Sequence, residues 1–282
     1  MVFPTIAIIG SGTMGHGIAH VCAQAGAEVV LHDTDAGRLA AAVAKVRSNL
    51  DKGVEKGKLS AADRDATLSR LSTSDSLAGL AGRRLYVEAI PEKLQWKQEL
   101  FTALEAVAPA DAVFATNTSS LSVAKIAAAT ARPSRVIGTH FFNPVHIMAL
   151  LEIVVHEGTD PAVTAAIQAF GAEIGKECIT VRDFPGFATS RLGVCLGMEA
   201  IRMVEQGVAS AEDIDKAMVL GYRHPVGPLR LSDMVGLDVR MNIGEYLARE
   251  LGNPAFEPPA LMRRMVAEGK LGQKTGQGFY TW

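Results

Sequence analysis

The chain has 282 residues, 48% of them hydrophobic and 21% charged, and a net charge of −2. That length allows one or two domains, and the composition is that of an ordinary globular protein. The near-neutral charge offers nothing to a nucleic acid or an anionic membrane, and no apolar run approaches the roughly 18 residues a bilayer span needs.

Residues 5–9 form an apolar run and predict a strand. Gly10-Ser11-Gly12-Thr13-Met14-Gly15 follows, then a helical pattern over 13–25 that Gly26 stops. A second apolar run, 29–32, ends in Asp33. Each part has a task if this is a dinucleotide site. Gly10 permits the tight turn, Gly12 lets a pyrophosphate approach the backbone, and Gly15 lets the helix pack on the strand. The helix N-terminus offers N–H groups to the phosphates. Asp33, at the end of the second strand, can bind ribose hydroxyls. A carboxylate there repels a 2′-phosphate, and no Arg or Lys follows until Arg38, so NAD is favoured over NADP.

Residues 35–66 read as helical and carry Lys45, Arg47, Lys52, Lys56 and Lys58. Such a stretch is either a solvated helix face or a basic surface for a phosphate-rich substrate tail. A short strand is expected at 71–74 and another at 85–90, broken by Pro91. A helix is expected at 94–108, then a strand at 112–116 that ends in Asn117-Thr118-Ser119-Ser120. This polar turn can cap a helix starting near Ser122. A strand at 135–139 ends at His140. Residues 149–155 predict a strand containing one acid, Glu152. Asp160-Pro161 starts a helix to about 174, and 178–181 is a strand.

Strands alternating with helices predict an α/β fold, a Rossmann-type and mostly parallel sheet over 1–184. Asp33, Pro91-Glu92, Asn117 to Ser119 and His140 to Asn143 all fall beyond the carboxyl ends of strands, where such sheets bind ligands. Strand signals stop at Asp183-Phe184-Pro185-Gly186. Helices are expected at 187–206, 210–221, 236–251 and 259–267, giving an all-α domain over 185–282. Its apolar residues Leu192, Leu196, Ile201 and Val204 suit a local core or a dimer interface. Cys22, Cys178 and Cys195 make neither a disulfide framework nor a metal pattern. Each stands in apolar sequence, so buried free thiols in a reducing cytoplasm are expected, and no secretory leader is visible.

His140 and Glu152 carry the chemistry. Hydride transfer from a secondary alcohol to NAD leaves a hydroxyl proton, and histidine titrates near neutrality. A carboxylate beside it fixes the tautomer and stabilises the imidazolium. A lone histidine at a strand end is otherwise a core or capping residue. A buried Glu152 needs a partner, because an unpaired buried charge is costly.

At these residues the chain resembles the L-3-hydroxyacyl-CoA dehydrogenases, and among them the bacterial 3-hydroxybutyryl-CoA dehydrogenases most closely in look. Besides the glycine turn, the matching pieces in the first domain are Ala89-Ile90-Pro91-Glu92, Asn117-Thr118-Ser119-Ser120-Leu121, His140-Phe141-Phe142-Asn143-Pro144 and Leu151-Glu152-Ile153-Val154. Pro185-Gly186-Phe187, Asp213-Ile214-Asp215, Gly227-Pro228, Val235-Gly236-Leu237-Asp238 and Gly272-Gln273-Lys274-Thr275-Gly276-Gln277-Gly278-Phe279-Tyr280 follow in the second.

The resemblance implies that His140 is the general base, that Glu152 orients and charge-stabilises it, and that Ser119 hydrogen-bonds the substrate oxygen near the nicotinamide. It implies that Glu92, Lys97, Asn117, Asn143 and Lys274 join Gly10, Ser11, Gly12, Thr13, Met14, Gly15 and Asp33 around NAD. Asn49 and Lys56 match the region that meets coenzyme A. A homodimer through the helical domain, an acyl-CoA thioester substrate, no metal, and a place in fatty-acid or butanoate metabolism are also implied. One departure stands out. The family commonly has Asn in Pro-Gly-Phe-x-x-Asn-Arg, near the substrate carbonyl, and this chain has Ser190, with a shorter reach and fewer donors.

Three functions follow. The first is an NAD-dependent dehydrogenase of short-chain (S)-3-hydroxyacyl-CoA. The second, kept open by Ser190, is a dehydrogenase of a free hydroxy acid such as carnitine or gulonate. The third is a non-catalytic NAD-binding protein on a borrowed fold, as some lens proteins are; the presence of Ser119, His140 and Glu152 speaks against it.

Overall fold

The structure is a computed structural model describing residues 1–282. It divides into two compact units, Met1–Asp183 and Phe184–Trp282.

The first unit is built on one eight-stranded sheet. Its strands are β1 (Thr5–Ile9), β2 (Glu28–His32), β3 (Leu71–Ser74), β4 (Leu85–Glu88), β5 (Val113–Thr116), β6 (Val136–Phe141), β7 (Leu150–Val155) and β8 (Glu177–Arg182). They lie in the order β3-β2-β1-β4-β5-β6-β7-β8. Every residue of β4, β5 and β6 is buried, as a sheet covered on both faces requires. The covering helices are α1 (Thr13–Gln24), α2 (Ala36–Glu55), α3 (Ala61–Ser69), α4 (Leu94–Leu104), α5 (Val123–Ala127) and α6 (Pro161–Glu173). The strand order reverses between β1 and β4, which opens a crevice beyond their carboxyl ends.

All neighbouring strands run parallel except β6 and β7. Residues 142–149 connect those two, too short a link for the crossover that parallel pairing needs. The chain therefore turns back, and the antiparallel register sets His140 directly opposite Glu152.

Several expected boundaries move for local reasons. The helical stretch 35–66 breaks in two, because Gly57 takes φ +66° and Ser60 caps α3 through the Asp63 N–H. Strand β4 stops at Glu88, before residues 89 and 90, because the chain there turns to pack on the glycine loop. A Cβ on Gly10 would lie 2.6 Å from the Ala89 carbonyl oxygen. Of the three cysteines only Cys22 is buried; Cys178 and Cys195 are half-exposed, contrary to the expectation from their apolar neighbours.

The second unit is all helical: α7 (Thr189–Glu205), α8 (Ala211–Lys216), α9 (Pro228–Val235), α10 (Leu237–Leu251) and α11 (Ala260–Ala267). Helix α9 has no forerunner in the sequence reading. Pro228 at its first turn, behind Gly227, starts it. Val194, Met198, Ile201, Leu237, Leu247 and Met262 belong to this unit's own core. Two buried carboxylates hold the C-terminal segment. Asp233 accepts from the N–H groups of Phe279 and Tyr280 and from the Trp282 indole. Asp215 accepts from Leu229 N–H, Arg230 N–H and the Tyr280 hydroxyl. A Cβ on Gly278 would strike the Asp233 carboxylate, so much of the 272–280 motif is a clasp. No helix is long and apolar enough to cross a membrane.

Candidate active site

The crevice at the strand reversal holds a cleft of about 840 Å³, lined by Gly10 to Met14, Asp33, Arg38, Lys45, Ala89 to Pro91, Trp96 and Leu100 among others. The glycine turn is shaped by steric demand. A Cβ on Gly15 would fall 1.7 Å from the Gly10 carbonyl oxygen, whereas one on Gly12 would meet nothing within 4 Å. Gly15 is thus required by the fold, and Gly12 leaves open space on the cleft side of the turn. Helices α2, α3, α5, α6 and α8 are all capped by side chains. Helix α1, like α4 of the same unit, has no side-chain cap and no acid in its first turn. Bare N–H groups, a helix dipole and free space beside Gly12 fit the diphosphate of NAD.

Asp33 closes β2 and reaches back to the same turn. Its Oδ2 accepts from the Ser11 N–H at 3.0 Å and the Ser11 hydroxyl at 2.7 Å. Partial burial pushes this carboxyl up, but the Ser11 and Asp35 donors and Arg38 outweigh it, and the net pKa lies below the ordinary value. The group stays anionic, which suits ribose hydroxyls as donors.

Three strands along from β1, the imidazole and its carboxylate meet. His140 Nδ1 lies 2.8 Å from Glu152 Oε2; His140 is 8% exposed and Glu152 fully buried. Phe142 packs beside the imidazole with ring centroids 4.4 Å apart. Asn117 ties β5 to this corner, its Oδ1 accepting from the Phe141 N–H at 2.9 Å. Asn143 follows on the exposed surface.

Between cleft and imidazole stands Glu92. Its Oε1 accepts from the Thr118 hydroxyl at 2.5 Å, the Ser119 N–H at 2.9 Å and the Ser119 hydroxyl at 3.4 Å. Its Oε2 lies 3.2 Å from Lys97 Nζ. Burial raises the Glu92 carboxyl, but Lys97 and the Thr118 and Ser119 donors bring it below the usual value. Lys97 itself is only 1% exposed and sits beneath Glu92, not on an open wall. Any influence it has on a cofactor passes through its carboxylate partners.

Other residues singled out from sequence stand on helices and on the C-terminal segment. Asn49 is half-buried in α2 and Lys56 is exposed at its C-cap. With Lys45 they fall on one stripe of the helix, at intervals of four and seven. Ser190 opens α7 in the second unit. Lys274, also there, pairs with Asp238 at 2.5 Å. The structure adds residues the sequence reading passed over: Glu88 and Thr116 behind Lys97, Thr118 on Glu92, and Trp96 and Leu100 on the cleft wall. Glu88 carried a signal of its own, an acid closing an apolar strand.

The class that this fold and these side chains define is the nicotinamide-dependent dehydrogenases. Comparison with known sequences is more specific. The model of the 3-hydroxyacyl-CoA dehydrogenase NAD-binding domain matches residues 5–184, and that of the C-terminal domain matches 186–282. The chain belongs to the 3-hydroxyacyl-CoA dehydrogenase family. It is 42% identical to the 3-hydroxybutyryl-CoA dehydrogenase of Mycobacterium tuberculosis, over 98% of each chain. It is 41% identical to the human mitochondrial hydroxyacyl-coenzyme A dehydrogenase, over 98% of this chain and 90% of that one. The crystal structure of the (S)-3-hydroxybutyryl-CoA dehydrogenase of Ralstonia eutropha superposes with a TM-score of 0.96 at 41% identity, covering 99% of both chains.

Proposed function

We propose that the chain transfers a hydride between NAD and short-chain (S)-3-hydroxyacyl-CoA, 3-hydroxybutyryl-CoA foremost, giving the 3-ketoacyl-CoA. The observation that carries this is the buried 2.8 Å pair of His140 and Glu152, on the sheet that holds the glycine turn. Three strand spacings, about 14 Å, separate β1 from β6, a span a dinucleotide bridges. The names and high identity of the relatives support the substrate class.

Bound NAD supplies the acceptor for the hydride from C3 of the substrate. Glu152 engages Nδ1 of His140, so Nε2 takes the proton of the 3-hydroxyl as the C3–H pair departs, and the C–O bond becomes a carbonyl. Glu152 stabilises the imidazolium so formed. In reverse, His140 returns the proton to the ketone. Ser119 donates to the reacting oxygen while Glu92 holds its backbone. Asp33 takes the adenosine ribose, and the Gly10 to Gly15 turn takes the diphosphate. Asn117, Asn143 and Lys274 complete the cofactor's surroundings, with Lys97 acting through Glu92. Ser190 is assigned to the thioester carbonyl, and the Lys45, Asn49, Lys56 stripe to the phosphates of coenzyme A.

Leu192, Met234, Val235 and Val239 are exposed apolar residues of the helical unit, which supports a homodimer through it. Three cysteines, none of them in a disulfide, support a cytoplasmic enzyme. The test is the initial rate of NADH oxidation with acetoacetyl-CoA, a longer 3-ketoacyl-CoA, and free keto acids related to carnitine and gulonate. Turnover confined to the thioesters is expected, and His140→Gln should lose about 10²–10⁴ of the rate. Preference for a free acid, or near-normal turnover by that variant, refutes the assignment.

A further inference from the structure

Two fully enclosed ionisable side chains lie behind the proposed site, and of them only Lys97 reaches it, through Glu92. Glu88 ends β4 and is 0% exposed; Lys97, in the first turn of α4, is 1% exposed. Lys97 Nζ lies 2.6 Å from Glu88 Oε1, 3.2 Å from Glu92 Oε2 and 3.3 Å from the Ile90 carbonyl oxygen. An ammonium has three N–H donors, and these three acceptors match them in number. Glu88 is as fully engaged: Oε1 also accepts from the Ile90 N–H at 2.7 Å, and Oε2 from the Thr116 hydroxyl at 2.6 Å. One lysine therefore serves two carboxyl groups.

The two carboxylates differ in what they touch. Apart from Lys97, the Glu88 carboxylate reaches only the Ile90 N–H and the Thr116 hydroxyl. Glu92 holds Thr118 and the backbone N–H of Ser119. Burial pushes the Glu88 carboxyl up, with Lys97 pulling against it, while Glu92 sits below its usual value. Without Lys97, two carboxylates that had reached for the same nitrogen would face each other, and one would take up a proton. Without Glu88, the buried lysine would have Glu92 as its one counter-charge and would draw it inward, away from Ser119.

We propose that Glu88 is a positioning residue: through Lys97 it fixes the place and charge of Glu92, and through Glu92 the Ser119 hydroxyl. This rests on the proposed function, in which Ser119 meets the reacting oxygen. An anchor that merely staples β4 to α4 would affect stability but not the pH profile of the reaction, and that difference is measurable.

The test compares Glu88→Gln, Lys97→Met and the double variant with the wild type, by kcat for acetoacetyl-CoA reduction from pH 5 to 9 and by the Kd of NADH from its fluorescence. Glu88→Gln keeps side-chain shape and an acceptor for Ile90. It should lower kcat at least tenfold while the Kd of NADH stays within threefold. Lys97→Met should add an ionisation to the pH profile that the double variant lacks, because the double removes one of the two competing carboxyls. A Glu88→Gln enzyme within twofold of wild-type kcat across the range, or a Lys97→Met profile of unchanged shape, overturns the inference. If either single variant fails to fold, the double, which has no buried charge to strand, decides: kcat lowered at least tenfold supports the inference, and wild-type kcat overturns it. The two readings fail separately. A wild type that does not reduce acetoacetyl-CoA refutes the proposed function, and the pH dependence of NADH binding to Lys97→Met then still reports the shared proton. A wild type that turns over, beside an unimpaired Glu88→Gln, refutes the positioning role alone.

Discussion

Acid should destabilise this protein through a buried histidine of α1. His20 lies in the middle of α1, 3% exposed, and neither ring nitrogen makes a hydrogen bond. Its ring stacks on that of His146, centroids 5.4 Å apart. Burial, then the charge of His146, lowers its pKa from 6.5 to about 4; the Gln24 side chain opposes this, and the smaller effects of His16 and Lys176 add to it. Lys176 is itself held in place by the carbonyls of Val145 and Met148. No carboxylate is among the groups that shift His20. The unfolded chain takes up this proton near pH 6.5, the folded chain only near 4. Between those values the unfolded state binds more protons, so stability rises with pH. The contribution is fully present above 6.5 and is lost as pH falls towards 4. A difference of 6.5 − 4 = 2.5 pKa units, at about 1.4 kcal/mol each, is about 3 kcal/mol in full, most of it lost by pH 4.5. The assay is denaturant unfolding of the wild type and His20→Leu at pH 7.5 and 4.5. Taking the difference between the two proteins cancels the titration of groups that do not interact with His20. The variant should lose about 2–3 kcal/mol less than the wild type between those pH values. Equal losses in the two proteins would refute the reasoning.

Other outcomes test the site directly. Glu152→Gln keeps the shape beside His140 but removes the charge that stabilises the imidazolium, so kcat should fall about 10²–10⁴ while NADH binds as before; stopped-flow rates and a fluorescence titration separate the two. Gly12→Ala should fold normally, since its Cβ meets open space, but weaken NADH binding at least tenfold. Gly15→Ala should instead lower the melting temperature or abolish soluble expression, because its Cβ would collide with the Gly10 carbonyl. Asp33→Ser should shift the ratio of the Kd values for NADPH and NADH towards NADPH at least tenfold. The repelling carboxylate is gone, and Arg38 and Lys45 already line the same cleft; an unchanged ratio counts against Asp33 as the discriminating group.

Much of the first unit was legible because its signals are local. Apolar runs of strand length, such as residues 5–9 before Gly10 and 29–32 before Asp33, are set by burial within the sheet, and all eight strands were read to within two residues at either end. Boundaries moved where the deciding contact is distant: Ala89 turns away because Gly10, far off in sequence, needs the space beside it. Helix α9 was missed because its eight residues carry only Gly227-Pro228 as a start signal. The 272–280 segment carried a family pattern whose physical cause, the buried Asp233 and Asp215, lies on other helices. No periodicity encodes that.

The acids show where sequence reasoning could have gone further. A carboxylate inside an apolar strand must find a cation, an imidazole or several N–H groups, since burial alone would neutralise it. Glu152 meets that condition, and the short 142–149 link forces β7 back along β6. The register that results pairs residues about 146, which brings position 140 to position 152. Glu88 meets the same condition at the end of β4, and no imidazole stands across from it. The demand then falls on a cation, and Lys97, nine residues on, is the one the fold delivers. Such a lysine should be read as buried and shared before it is read as a ligand for cofactor. That order of reading sets Lys97 behind Glu92, between two carboxyl groups.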